Sequence, residues 1–277
     1  MKILVIDRDE VSAQMLGSRL EDEGYEVVRE SVKNEAVARM KKETFEAVFF
    51  DPAPLTDARP LMLEIRRILS AYTYLVLLSQ NTAREDAVKI GCNDVLQKPI
   101  GDADAKEKAH NAERMSSLIR WMGDDSEDFP SAGGVISKSA FNQIFRSAID
   151  RSGRYGERAY VVIITVENYD DLKIDFGAYA ADYAVSKMAF HLAQMRRQSD
   201  IIGQTGKNQY TLLLQRPLTD TEQIEAASRF AAGLEELDEI APPKCKSVQI
   251  SVRLVNLPSG QLEAEHLLVK KEYESGE

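Results

Sequence analysis

The sequence predicts an α/β fold in two parts: a doubly wound, five-stranded parallel domain, then an α+β domain with a mostly antiparallel sheet. Three observations predict it. At 277 residues the chain has reached the length, roughly 250 to 300 residues, at which single cores stop growing and chains split into domains. Residues 2 to 100 alternate short apolar runs with helical stretches, the pattern of a parallel sheet covered by helices on both faces. Further on, strands and helices mix without strict alternation, which reads as α+β. The expected boundaries are a first domain over 1–122, a linker over 123–135 and a second domain over 136–277.

The elements follow in order. KILVI is the first strand and VSAQMLGSRLEDE the helix after it; YEVV and NEAVARMKK, AVFF and LMLEIRRILS, YLVLLS and AREDAVKI repeat the pairing, and DVLQ supplies the fifth strand. ADAKEKAHNAERMSSLIRWM closes the domain as a helix, and GDDSEDFPSAGG, acidic and broken by Pro130, has the composition of a linker. In the second half a helix is expected near Lys138 to Arg154, a strand at YVVIITV, and a helix through DYAVSKMAFHLAQMRR. In that helix Val185, Met188, Leu192 and Met195 recur at three and four residues and form one core-facing stripe. A hairpin, IIGQTGKNQYTLLLQ, then a helix at TEQIEAASRFAAGLEEL, a strand at VQISVRLV and a short last helix complete the chain.

Composition narrows the function classes. The net charge of −10 disfavours nucleic-acid binding, which needs a basic surface to displace counterions from phosphates. The longest apolar runs, VVIIT, TLLL and LVLL, fall far short of the roughly 20 residues of a membrane span. MKILVID enters a strand without a small-residue cleavage site, so no signal peptide and a cytoplasmic location are expected. Cys92 and Cys245 stand far apart and fit neither a disulfide framework nor a cysteine metal site; both read as buried small hydrophobes. His110, His191 and His266 form no cluster, and Trp121 reads as a residue packing a helix end.

In a doubly wound sheet ligands sit at the carboxyl ends of the strands. Those ends carry Asp7 and Arg8, then Asp51, Ser79 and Lys98-Pro99. KILVIDRDE, FEAVFFD, YLVLLS and GCNDVLQKPI, in this order, resemble the receiver domain of bacterial response regulators over residues 1 to about 120. The resemblance implies Asp51 as phosphoacceptor, Lys98 and Ser79 as the cation and hydroxyl that hold the phosphoryl oxygens, and Mg²⁺ held by Asp7 and Asp51. It also implies a sensor histidine kinase or phosphotransfer protein as partner. Arg8 stands where the family has a second acid, so Mg²⁺ affinity is expected to fall, and an Arg8 to Asp51 ion pair could replace the activated state. Pro52 and Pro54 and the non-aromatic Val95 are further departures from the family pattern.

From Lys138 onward the order of elements resembles the GGDEF domain of diguanylate cyclases, most legibly at the hairpin. There RQSDIIGQTGKNQYTLLL follows the family form RxxDxxxRxGGDEF position for position, with GKNQY as the signature. The family's metal ligands align with Thr165 and Asn208, the next acid with Gln209, and the guanine-reading pair with Lys173 and Asp182. Without those acids the triphosphate metals have no ligands, so no catalytic residues are assigned and no enzymatic activity is expected. Glu167 and Asp170 stand nearby, but neither restores the hairpin ligand. The lead-in Arg197 and Asp200 matches the family's inhibitory site for cyclic di-GMP, which Arg229 completes if the preceding loop has one extra residue. The expectation is therefore a non-catalytic response regulator, signalling by receiver phosphorylation, cyclic di-GMP binding or both, with output through protein interaction. A homodimer is expected by family analogy. Two rivals are a scaffold that takes neither phosphate nor nucleotide, and an active diguanylate cyclase.

Overall fold

The computed structural model describes residues 1–55, 57–69, 72–129, 133–197, 199–237, 240–241 and 247–271. The chain forms two compact units. One comprises Met1–Trp121 with Ile149–Glu157 and Pro258–Gln261; the other comprises Met122–Ala148, Arg158–Leu257 and Leu262–Glu277.

The first unit runs β1 (Lys2–Ile6), α1 (Glu10–Asp22), β2 (Glu26–Glu30), α2 (Lys33–Met40), β3 (Ala47–Phe50), α3 (Arg59–Ile68), β4 (Tyr74–Ser79), α4 (Arg84–Ile90), β5 (Asp94–Gln97) and α5 (Asp102–Met122). Its five strands lie in the order β2-β1-β3-β4-β5, all parallel. This is the doubly wound order with its switch point between β1 and β3. The strands are apolar throughout because helices cover both faces: every residue of β3 is buried, and Leu4, Phe50, Leu75 and Leu77 share one core cluster with Met62 and Ile65 of α3. Asp9 starts α1 by accepting hydrogen bonds from the Val11 and Ser12 amides. Cys92 is buried, and burial pushes its thiol up to about 12, so it is a packing residue. Cys245 lies outside the described residues, and Trp121 is exposed on the last turn of α5.

The second unit contains α6 (Lys138–Tyr155), whose last turns are grouped with the first unit, then β6 (Ala159–Val166), α7 (Tyr169–Phe176), α8 (Ala178–Met195), β7 (Ile201–Gly206), β8 (Gln209–Gln215), α9 (Glu222–Glu236), β9 (Ser247–Leu257) and β10 (Leu262–Lys271). The sheet order is β10-β9-β6-β8-β7, with every strand pair antiparallel. Val185, Met188 and Leu192 are buried in one cluster with Phe230 and Leu234 of α9 and the inward residues of β6, β8 and β9, and Met195 packs against it. The expected stripe of α8 is therefore the seam between helix layer and sheet.

Two elements differ from expectation. A separate helix, α7, precedes α8. And the expected short last helix is a strand: β10 pairs with β9 from Leu262↔Val255 to Lys271↔Ser247. Leu, Glu, Ala and Lys in LEAEHLLVKK favour helices locally, but pairing to the long β9 overrides that preference. Among the described residues no helix is long and apolar enough to cross a membrane.

Candidate functional site

The doubly wound order brings Asp7, Asp51 and Lys98 together. Asp7 follows β1 and Asp51 follows β3, the strands flanking the switch point, and the Lys98 amide donates to the Ser79 carbonyl at the end of β4. From there the Lys98 ammonium donates to Asp7 Oδ2 at 2.6 Å and to Asp51 Oδ2. Burial works against the charged amine, but the bonds to Asp51 and Asp7 outweigh it and raise the Lys98 pKa. Ser79 does not join this cluster: its hydroxyl lies 2.7 Å from Thr82 Oγ1 and accepts from the Asn81 and Thr82 amides. The Arg8 to Asp51 ion pair does not form. Asp7 turns inward and its Oδ1 accepts from the Asp9 amide at 3.0 Å, so Arg8 between them faces solvent and Lys98 takes the Asp51 carboxylate.

A residue outside the sequence-derived set completes this site. Lys33, the first residue of α2, donates to the carbonyls of the two residues that follow Asp51, that of Pro52 and, at 2.7 Å, that of Ala53. Burial lowers the Lys33 pKa, the Arg8 charge lowers it further, and Asp51 acts in the opposite sense. No motif marked Lys33, because its reach to the loop after β3 is a tertiary contact. These donors do not fit Mg²⁺. Both carboxylates are bonded to the Lys98 ammonium, the Lys33 ammonium holds the neighbouring carbonyls, and Arg8, in the place of an acid, faces solvent and adds no ligand.

In the second unit Thr165, Asn208 and Gln209, the positions that the resemblance aligns with the cyclase acids, are neutral and hydrogen-bonded. Thr165 Oγ1 donates to Gln209 Oε1 at 3.2 Å, Gln209 Nε2 donates to Thr205 Oγ1 at 2.9 Å, and Asn208 Nδ2 donates to the Val166 carbonyl at 2.8 Å. The three side chains thus form a hydrogen-bonded network between β6 and the β7–β8 hairpin. Glu167 pairs with Arg253 at 2.9 Å, and Asp182 accepts from the Tyr169 hydroxyl at 2.7 Å. Among the described residues, the cavity beside α7, about 610 Å³, is lined by Asp171 and Asp175 and by no basic side chain.

Arg197, Asp200 and Arg229 do come together. All three line one cavity of about 280 Å³ between the start of β7, the end of β8 and α9. Asp200 is buried, and its Oδ2 accepts from the Arg197 amide at 2.8 Å and from Arg229 at 3.4 Å. The Arg197 guanidinium is more than half exposed and pairs at 3.3 Å with Glu222, whose other oxygen accepts from the Leu218 amide at 2.6 Å. Two buried polar atoms of this lining have no hydrogen-bond partner: the Arg229 Nε donor and the Gln223 Oε1 acceptor. Orphaned buried donors and acceptors are costly, and the two residues that carry these atoms are among those around the cavity. Glu222 and Gln223 had no sequence signal; they matter because α9 starts against the Arg197 turn. The histidines stay apart: His191 contacts the Gly233 carbonyl at 2.9 Å, His110 lies 3.5 Å from Glu23, and His266 sits on β10. No group of three or more metal-ligating side chains occurs among the described residues.

Residues 131–271 match the family described as diguanylate cyclase, GGDEF domain. No curated protein matches the chain. Among solved structures, a two-component response regulator from Clostridium difficile is 24% identical, with a TM-score of 0.37, over 41% of this chain and 96% of that one. Chemotaxis protein CheY4 of Vibrio cholerae is 22% identical, with a TM-score of 0.36, over 40% and 97%. A chain in the co-crystal structure of the Saccharomyces cerevisiae phosphotransfer protein Ypd1 with the receiver domain of the response regulator Ssk1 is 22% identical, with a TM-score of 0.38, over 43% and 92%.

Proposed function

Since this chain belongs to the diguanylate cyclase GGDEF domain family and its first unit has the receiver strand order, we infer that it is a non-catalytic response regulator whose GGDEF domain binds cyclic di-GMP. The observation that carries this reading is the gathering of Arg197, Asp200 and Arg229 around one cavity. A guanidinium fork suits a phosphate diester or a guanine edge, and a carboxylate accepts from guanine N–H groups. At about 280 Å³ the cavity lies at the lower end of small-molecule sites, roughly 300 to 1,000 Å³, so it takes one guanylate end of the dinucleotide. Glu222 releases Arg197 as the ligand phosphate arrives.

The same domain lacks the means to make that ligand, because Thr165, Asn208 and Gln209 supply no charge to hold metal on GTP. Titration calorimetry with cyclic di-GMP tests the first statement and a GTP turnover assay the second. Wild type gives saturable heat, and Arg197→Ala, which removes a charge-assisted contact worth about 1.5 to 3 kcal/mol, weakens binding by about ten- to hundredfold. No heat with wild type ends the receptor reading, and turnover of GTP ends the non-catalytic one.

In the first unit Asp51 is the phosphoacceptor for a sensor histidine kinase or phosphotransfer protein. The supporting observation is the Lys98 bridge from Asp51 to Asp7 at the switch point, with Lys33 and Arg8 close by. In the transfer the N–P bond of a donor phosphohistidine breaks, the bond from an Asp51 carboxylate oxygen to phosphorus forms, and the imidazole keeps the electron pair. The Lys98, Lys33 and Arg8 cations offset the charge that arrives. Exposed Val11 and Met15 line the cavity beside Lys98 and Ile100 and give a donor protein an apolar foothold. Acetyl phosphate adds a phosphoryl mass to wild type and none to Asp51→Asn; wild type that takes no phosphoryl from acetyl phosphate or a phosphotransfer protein leaves the receiver as a docking module.

A further inference from the structure

The last strand of the second unit leaves a sheet edge with a self-complementary sequence. β10 is terminal in the order β10-β9-β6-β8-β7 and ten residues long. Among the described residues its backbone bonds to β9 and to no other segment. Such an edge presents a row of free N–H and C=O groups, which proteins usually blunt by shortness, by bulges or by charge. Here the bulge lies at one end, between Leu262 and Ala264, and the lysines at the other, Lys270 and Lys271. The middle is open.

The outward face of this stretch carries Glu265, Leu267, Val269 and Lys271, all exposed, with Leu267 at 68% and Val269 at 59%. Two copies of β10 placed antiparallel about a two-fold axis through Leu268 would set Glu265 opposite Lys271 and Leu267 opposite Val269, and the same pairs recur beyond the axis. Every outward pair then matches acid with base or apolar with apolar. Side chains alternate faces with a period of two, so registers displaced by two residues put Glu265 against Val269 or Leu267 against Lys271, and lose this match. Lys271, which would repel a second copy in another register, is paired with Glu265 in this one.

We propose that the protein self-associates through antiparallel β10–β10 pairing, joining two five-stranded sheets into one continuous sheet across an isologous two-fold interface. Glu265 also pairs with Arg253 at 2.6 Å, so in the dimer its carboxylate lies between Arg253 and the partner's Lys271. Opposite-charge and apolar cross-strand pairs are the stabilising units of such an interface.

Analytical ultracentrifugation of the full chain over a concentration series tests this, with hydrogen exchange read at β10. Wild type forms a dimer, and alternate amides of 265–271 gain protection as the dimer fills. Leu267→Lys with Val269→Lys, both on exposed positions, weakens association by at least about tenfold while the circular dichroism spectrum stays unchanged. Lys271→Glu weakens it, and adding Glu265→Lys restores it, because the swapped pair is again complementary. A monomer at every concentration overturns the proposal. So does a dimer whose affinity and β10 protection are indifferent to these substitutions.

Discussion

One ammonium, that of Lys98, holds both carboxylates at the switch point, so its removal is felt at two places at once. Lys98→Met leaves Asp7, almost wholly buried, facing Asp51 without a counter-charge, and is expected to cost about 1 to 3 kcal/mol in urea unfolding at neutral pH. At the alkaline end the sign follows from the raised Lys98 pKa. Its contribution is complete below the ordinary lysine value of 10.5 and is lost as pH climbs through the higher folded value. Lys33, whose pKa is lowered, acts in the opposite sense: stability rises with pH between its folded value and 10.5. Alkaline unfolding curves of Lys98→Met and Lys33→Met should therefore bend in opposite directions. In the second unit Gln209 is 3% exposed and fixed by Thr165 and Thr205. Gln209→Glu buries a carboxylate there and should cost about 1 to 3 kcal/mol, and Asn208→Asp with Gln209→Glu should give no GTP turnover, since Thr165 still supplies no metal ligand. Asp7, Asp51, Lys98, Arg197 and Asp200 were legible because each has a fixed place relative to a strand end or a turn. Lys33, Glu222 and Gln223 were not, because their roles come from segments far away in sequence.

Whole elements set how close those residues come. The segment ahead of α6 forms a parallel bridge from Ile136 to Gly203, with the Ile136 amide donating to the Ile202 carbonyl at 2.9 Å. This lays Phe141 over β7, and a Cβ on Gly203 would stand 2.7 Å from the Phe141 side chain. Gly203→Ala should destabilise the protein by about 1 to 3 kcal/mol by overpacking, read as a lower urea midpoint with unchanged slope. Across the cavity, the start of α9 places Glu222 on Arg197. An exposed pair of this kind contributes about 0.2 to 1 kcal/mol, so Glu222→Gln should tighten cyclic di-GMP binding by a few-fold in calorimetry. Most elements of the first unit were legible because burial on both faces leaves unbroken apolar runs of strand length. β10 was not: its composition favours a helix, its half-exposed alternation is weak, and its partner β9 decides.

At the scale of the molecule, the proposed phosphoacceptor and the proposed nucleotide site on one chain would make two inputs, each able to shift a conformational population only through different contacts in two states. Ligand linkage gives a direct reading of the second input. At about a hundredfold excess over the dissociation constant, cyclic di-GMP should raise the unfolding free energy of the domain that binds it by about 2.7 kcal/mol, and Arg197→Ala should remove the gain. The sequence by itself determined the two fold classes, the carboxyl-end positions of Asp7, Asp51, Ser79 and Lys98, and the loss of charge at Thr165, Asn208 and Gln209, because periodicity and residue chemistry are local properties. Only the tertiary structure decided that Lys98 rather than Arg8 takes Asp51, that Ser79 bonds into its own loop, that Lys33 sits on the Ala53 carbonyl, that Glu222 guards Arg197, and that the chain's last described element is an open edge strand. Each of these depends on which distant segments the folded backbone brings within hydrogen-bonding reach, and no local pattern encodes that distance.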